Sequence, residues 1–256
     1  MNEKRVAVVT GGGSGIGAAV AREFAKEGIS VAVVGRRKEQ LQQIAEEISG
    51  ACEVLVLPED LSDPNAPGRV IDAVIEKWGR LDIIVNNAAY ICCLPFEECT
   101  REQLCKHVDV NMLAPYYLVQ QALPYLKQSA YASIVNISSS SASLSIPGQT
   151  MYGATKAALE YLTKSWAAEL APKIRVNCIA PGPIDTPIHL TWAGDDVAGA
   201  YKRMTSELPL GRMGKDSEIA AWVNWLCAEQ ASFVTGTIIP VDGGQVLPGA
   251  LSRISQ

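Results

Sequence analysis

A chain of 256 residues, 48% of them hydrophobic and 19% charged, can bury a substantial core as one large α/β domain or as two small ones. Its net charge of −5 excludes the cationic surface that non-specific binding to nucleic acid or anionic membranes requires. No apolar run approaches the roughly 18 residues of a membrane span, and the few apolar residues before the first glycines are too short a run for a signal peptide, so a cytoplasmic protein is expected.

From end to end, short β-branched runs alternate with helical patterns, and no linker, charge block or repeat marks a second domain, so residues 1–256 read as one unit. Such alternation predicts βαβ units and a parallel sheet covered by helices on both faces. Strands are expected at 5–10, 30–35, 53–57, 82–86, 133–137, 175–180 and 237–241. The first runs into Thr-Gly-Gly-Gly-Ser-Gly-Ile-Gly, Thr10 to Gly17. In such a strand-to-helix turn Gly11, Gly15 and Gly17 permit unusual backbone angles and let a pyrophosphate approach the amides of a helix N-terminus. Ile16, Ala19, Val20 and Phe24 then recur at helical spacing, as do Leu41, Ile44, Ala45 and Ile48, and Ile71, Val74, Ile75 and Trp78; these stripes are core packing. At the end of the second strand, where an acidic residue would bond ribose hydroxyls and repel a 2′-phosphate, the chain has Gly35, Arg36 and Arg37. That favours NADP(H), with NAD(H) as the alternative.

Further along, residues 101–127 predict one long helix interrupted or kinked near Pro115 and Pro124, because an internal proline removes a backbone hydrogen bond. A second long helix at 150–170 carries Tyr152 and Lys156 in its first two turns, four residues apart and so on one face. A tyrosine that moves protons near pH 7 needs its pKa lowered by roughly 3 units, about 4 kcal/mol. A cation about 4.5 Å away, at an effective dielectric near 20, supplies roughly 3 to 4 kcal/mol. Residues 186–216 break the rhythm with Pro187, Gly194, Gly199 and Pro209 and interleave Trp192, Tyr201 and Met204 with charges; a lid with one or two short helices is expected. The seven cysteines form no C-x-x-C pair and the histidines are His107 and His189, so no metal site is expected and most of the thiols read as small buried hydrophobes, with the adjacent Cys92 and Cys93 open to oxidation.

Together these residues resemble the short-chain dehydrogenase/reductase family over essentially the whole chain. Its Thr-Gly-x-x-x-Gly-x-Gly motif matches Thr10 to Gly17, and its Asn-Asn-Ala-Gly motif matches Asn86, Asn87, Ala88 and Ala89, the alanine at 89 standing where glycine is usual. Asn111 matches the family's catalytic asparagine, and its serine, thirteen residues before the tyrosine, selects Ser139 from the run Ser138 to Ser141. Pro181, Gly182, Ile184 and Thr186 match the Pro-Gly motif after the sixth strand, Asp60 and Leu61 the adenine contact, and Asp242, Gly243 and Gly244 the family's ending.

The resemblance implies a Rossmann-type, doubly wound parallel sheet of about seven strands with a small lid. It implies cofactor contacts from Gly11, Ser14, Gly15, Ile16, Gly17, Arg36, Arg37, Asp60, Leu61, Asn87, Ala88, Ala89, Tyr152, Lys156, Pro181, Gly182, Ile184 and Thr186. Tyr152 would pass a proton to a substrate carbonyl while NADPH delivers hydride. Ser139 would hydrogen-bond the same oxygen. Lys156 would hold the ribose and lower the tyrosine pKa, helped by the positive nicotinamide when the cofactor is oxidised, and Asn111 would anchor a water between Lys156 and solvent. Beside these motifs Tyr90, Ile91, Ile146, Gln149, Ile188 and Trp192 would line the substrate pocket with Ser139 and Tyr152. Lacking a cluster of Arg or Lys, that pocket suits an apolar or moderately polar ketone or alcohol. Alternatives are an NAD-linked dehydrogenase of the same kind and a regulatory protein that senses NADPH without turnover. A homo-oligomer, tetramer or dimer, is expected.

Overall fold

The computed structural model describes residues 4–187, 196–206 and 208–247. Seven parallel strands form one sheet: β1 (Val6–Thr10), β2 (Ser30–Gly35), β3 (Val54–Pro58), β4 (Ile83–Asn86), β5 (Ser133–Ile137), β6 (Arg175–Pro181) and β9 (Ile238–Val241). Their spatial order is β3-β2-β1-β4-β5-β6-β9. Every strand expected from the sequence is present, within a residue or so at its ends.

Period-two alternation decides which side chain meets which helical layer. Ala7 and Val9 of β1, with Val31 and Val33 of β2, pack into the layer of α1 (Gly15–Lys26), α2 (Lys38–Ile48) and α8 (Asp216–Cys227). Val6, Val8, Ala32 and Val34 face the opposite layer of α3 (Ala66–Trp78), α5 (Ala114–Leu126) and α6 (Thr150–Leu170). With both faces covered, the strands read as continuous apolar runs. Phe24, fully buried on α1, contributes about 1.5–3 kcal/mol by leaving water.

The expected helix at 101–127 is two helices. α4 (Arg101–Val108) starts on a capping box between Thr100 and Gln103 and passes into one π-helical turn, Asp109–Leu113, before α5. The interruption falls just ahead of Pro115, which lacks the N–H that would bond the Asn111 carbonyl four residues back. Ala114 N–H bonds Asp109 O, five residues back. The kink expected near Pro124 is absent as a break: α5 continues through it to Leu126.

The expected lid holds α7 (Val197–Ser206), flanked by two strands too short for sequence patterns to reveal, β7 (Ile184–Asp185) and β8 (Gly214–Lys215). These pair with each other, Ile184 to Gly214 and Asp185 to Lys215, and not with the large sheet. Tyr201 Oη on α7 donates to Asp185 Oδ1 at 2.7 Å, tying helix to clasp. Among the described residues no helix is long and apolar enough to cross a membrane.

Candidate active site

The strand order reverses at β1, whose neighbours β2 and β4 lead in opposite directions, and the crevice beyond the strand ends at such a reversal is where ligands bind in open α/β sheets. Here it is a cleft of about 890 Å³. Its floor is the glycine turn. Gly11 and Gly15 hold φ of +66° and +51°, the left-handed region that other residues avoid. A Cβ on Gly11 would stand 2.7 Å from Asn87 Nδ2, and one on Gly15 3.1 Å from Thr186 Cγ2. α1 then begins at N-cap Ser14 with no side-chain cap and no acidic residue in its first turn, so its leading N–H groups remain available to an anion. Those features match the pyrophosphate of a dinucleotide. Gly17 lies beneath the turn, outside the cleft: a Cβ there would collide with the Gly11 carbonyl, so its part is to let α1 approach β1.

Thr10 fixes the facing loop. Its Oγ1 donates to Val85 O (3.2 Å) and accepts from Asn87 N–H (2.9 Å) and Ala88 N–H (3.0 Å), while Asn87 Nδ2 donates to Thr10 O (2.8 Å). At one end of the cleft stand Arg36, Arg37, Asp60 and Leu61. Arg37 donates to Ser14 Oγ at 3.0 Å. Burial works against the Asp60 charge, but hydrogen bonds from Ser62 and the cations Arg36 and Lys106 hold its carboxyl below the usual range. Lys106, which the sequence reading did not single out, lines this cleft from α4 with its ammonium 5.1 Å from the Tyr90 ring centre. Helical spacing marked it only as one more charge on an amphipathic surface. Tyr90 lines the cleft between Lys106 and the edge-on ring of His107, 4.7 Å away, which ties it to the α4 wall.

At the other end, Ser139, Tyr152 and Lys156 converge. Ser138 points its hydroxyl at Lys156 O (3.2 Å) and Glu160 Oε1 (2.9 Å), which share its single proton, whereas the Ser139 hydroxyl stands where it favours the Tyr152 phenolate. Gly153 lets the serine turn approach α6 closely, since a Cβ there would stand 2.6 Å from Ser141 O. Burial pushes the Tyr152 phenol up to about 12, with the Ser139 hydroxyl opposing and the nearby Cys93 thiol adding to it. Burial likewise pushes the Lys156 ammonium down to about 8. The expectation that this lysine, helped by an oxidised nicotinamide, lowers the tyrosine pKa is therefore corrected for the lysine's share. Its Nζ donates to Ile137 O at 2.7 Å and lies 5.7 Å from the tyrosine ring centre, and burial is the largest cause of the shift at both groups.

Asn111, fully buried in the π turn, does not line the cleft. Its side chain accepts from Tyr90 N–H (2.7 Å) and donates to Tyr90 O (2.9 Å) and Thr155 Oγ1 (3.1 Å). Ala89, Ile91, Ile146, Gln149, Pro181, Gly182, Ile184 and Thr186 all line the cleft, as do Ser141, Met204 and Gln245, none of which was assigned to the site from sequence. Ile188 and Trp192 lie outside the described residues. Of the thiols, Cys52, Cys178 and Cys227 are buried, but Cys92, Cys93 and Cys99 are half-buried and Cys105 exposed, so the reading as core residues holds for the first three only. The other four fall in the loop and helix beside the cleft, where no strand or helix stripe sequesters them.

A family model described as enoyl-(acyl carrier protein) reductase matches residues 11–245. The 3-oxoacyl-(acyl-carrier-protein) reductase of Thermotoga maritima is 36% identical over 249 residues, 96% of this chain and 99% of that one. Among solved structures, a 3-ketoacyl-(acyl-carrier-protein) reductase from Brucella melitensis complexed with NADH superposes with a TM-score of 0.89 at 33% identity, covering 96% of this chain and 100% of its own. The L-sorbose reductase of Gluconobacter frateurii, complexed with NADPH and L-sorbose, reaches 0.91 at 31% identity, covering 96% and 98%.

Proposed function

The chain belongs to the short-chain dehydrogenase/reductase family, and on that footing we propose that it interconverts a ketone and a secondary alcohol, with NADP(H) preferred over NAD(H) and Tyr152 as the general acid or base. The observation that carries this reading is that Ser139, Tyr152 and Lys156 open onto the same cleft as the glycine turn and the arginine pair at the end of β2. When bound there, a nicotinamide dinucleotide supplies or accepts the hydride. Gly11, Ser14, Gly15 and Ile16 would hold its phosphates, Arg36 and Arg37 a 2′-phosphate, and Asp60, Leu61, Ala88 and Ala89 its adenosine. Asn87, Pro181, Gly182, Ile184, Thr186 and Lys156 would hold its nicotinamide riboside.

A phenol pushed up to about 12 is protonated at neutral pH, so Tyr152 stands ready as a proton donor, which suits carbonyl reduction. Ser139 Oγ–H stabilises charge growing on the substrate oxygen. The Asn111 carbonyl, which Pro115 cannot serve as a helical donor, is the group to hold a water behind Lys156. Ile91, Ile146 and Met204 give the reacting end apolar walls and Gln149 one polar contact, supporting a substrate of low or moderate polarity. The thiols form no disulfide, in keeping with work in the reducing cytoplasm.

An initial-rate screen of ketones and alcohols with NADPH/NADP and NADH/NAD in parallel tests the proposal, with Tyr152→Phe as reference. Turnover faster with the phosphorylated cofactor and lost by at least about a thousandfold in the variant is expected. Near-full activity of Tyr152→Phe removes the tyrosine from the mechanism. Equal rates with both cofactors remove the arginine argument, and tight NADPH binding without turnover on any compound favours a sensor.

A further inference from the structure

Behind Ser139 lies a hydrogen-bonded chain that the mechanism above does not use. Ser139 Oγ accepts from the backbone N–H of Ser141 at 3.1 Å and donates to Ser141 Oγ at 3.2 Å. Ser141 Oγ donates to Gln149 Oε1 at 2.8 Å. The carboxamide oxygen is an acceptor only, and it takes the one proton Ser141 owns. Ser141 Oγ is thereby left with lone pairs, and it can only accept from Ser139. The direction of the whole chain, Ser139 to Ser141 to Gln149, is set by that acceptor.

This direction has a consequence at the reacting end. With its proton turned toward Ser141, Ser139 withholds from Tyr152 the hydrogen bond that would favour the phenolate, so the phenol keeps its own proton to give. Ser141 N–H holds Ser139 Oγ in place throughout, and the long 3.2 Å bond is the weak one, readily exchanged for a bond to a substrate oxygen. We infer that Ser141, held by Gln149, is a positioning residue that stores the Ser139 proton away from Tyr152 until a substrate oxygen arrives to receive it. Removing the Ser141 hydroxyl leaves Ser139 to donate to Tyr152, which stabilises the phenolate and withdraws the acid. The inference rests on the oxidoreductase reading.

The test compares wild type, Ser139→Ala, Ser141→Ala, Ser141→Thr and Tyr152→Phe, measuring kcat and KM for carbonyl reduction across pH. Ionisable groups facing Tyr152 are Lys156 from α6 and Cys93 from the segment after β4, with Cys178 of β6 beside Lys156, and none is altered by these variants. Ser141→Ala should lower kcat roughly tenfold with the cofactor KM unchanged. It should also move the alkaline limb of the rate profile downward by about half a pH unit or more, the scale of one redirected hydrogen bond. Ser141→Thr, which keeps the hydroxyl, should restore both. The inference is overturned if Ser141→Ala keeps the wild-type rate and limb while Ser139→Ala and Tyr152→Phe are inactive. It is equally overturned if the rate falls with the limb unmoved, or if threonine fails to restore it, because Ser141 is then packing alone. If Tyr152→Phe and Ser139→Ala keep near-wild-type activity, Tyr152 is not the acid and the inference falls with that role; if wild type turns over no carbonyl with either cofactor, the oxidoreductase reading has failed, and the inference with it.

Discussion

At Lys156 the protein encloses an ammonium that is 2% exposed and donates to one carbonyl, Ile137 O, among the described residues. Burial lowers its pKa to about 8 from 10.5, so below pH 8 the folded state carries a charge that the unfolded chain solvates better. Between pH 8 and 10.5 the unfolded chain binds more protons, hence stability should rise with pH across that window. Tyr152 is shifted the opposite way and opposes this only above about pH 10, as the unfolded phenol begins to ionise. Replacing Lys156 by methionine should therefore raise unfolding stability at pH 7 by roughly 1–3 kcal/mol and flatten the rise, while abolishing turnover. Urea denaturation at pH 7 and 9.5 measures both. A variant less stable than wild type at pH 7 would mean that the Ile137 contact outweighs desolvation.

The π turn at Asp109–Leu113 couples two elements that are distant in sequence. Through the Asn111 amide it serves both backbone groups of Tyr90, and through Thr155, which donates to Tyr152 O at 2.9 Å, it reaches the catalytic helix. Asn111→Ala should cost about 2–3 kcal/mol, because the two Tyr90 groups lose a buried partner. Asn111→Asp should fall between, since a carboxylate accepts from Tyr90 N–H and cannot donate to its carbonyl. Denaturant midpoints rank the three proteins. This turn was illegible beforehand: residues 101–127 keep helical periodicity throughout, and a register of five instead of four leaves no mark in residue type. The sheet was legible because strands buried on both faces are written in unbroken β-branched runs such as Val6 to Val9. Tyr152, Lys156 and the glycine turn showed themselves by spacing, whereas choosing Ser139 among four consecutive serines needed the family resemblance. The weakness of Lys156 as a perturber of Tyr152 was hidden, because burial of an ammonium is a property of what packs around it.

For the whole molecule, what remains exposed is telling. β9 forms one edge of the sheet, and near it Trp222 and Trp225 of α8 stay 41% exposed while Phe233 is fully exposed. On α5 and α6, Tyr116, Tyr117 and Tyr161 also face outward. Apolar surface beside an open strand edge favours self-association, which supports the homo-oligomer, dimer or tetramer. Light scattering after gel filtration should give a multiple of the 27.4 kDa chain mass, and Phe233→Asp with Trp222→Glu should reduce it. A monomeric wild type would refute this. The clasp formed by β7 and β8 bears on a different matter. Because these strands pair with each other and leave the register of the seven-stranded sheet untouched, the part of the bracketed stretch ahead of the buried Leu208 and Met213 can change composition without altering that register. A lineage carrying this architecture can thus explore new chemical diets by rewriting the outer part of one bracketed insert, keeping its proton-handling machinery and its sheet as they are.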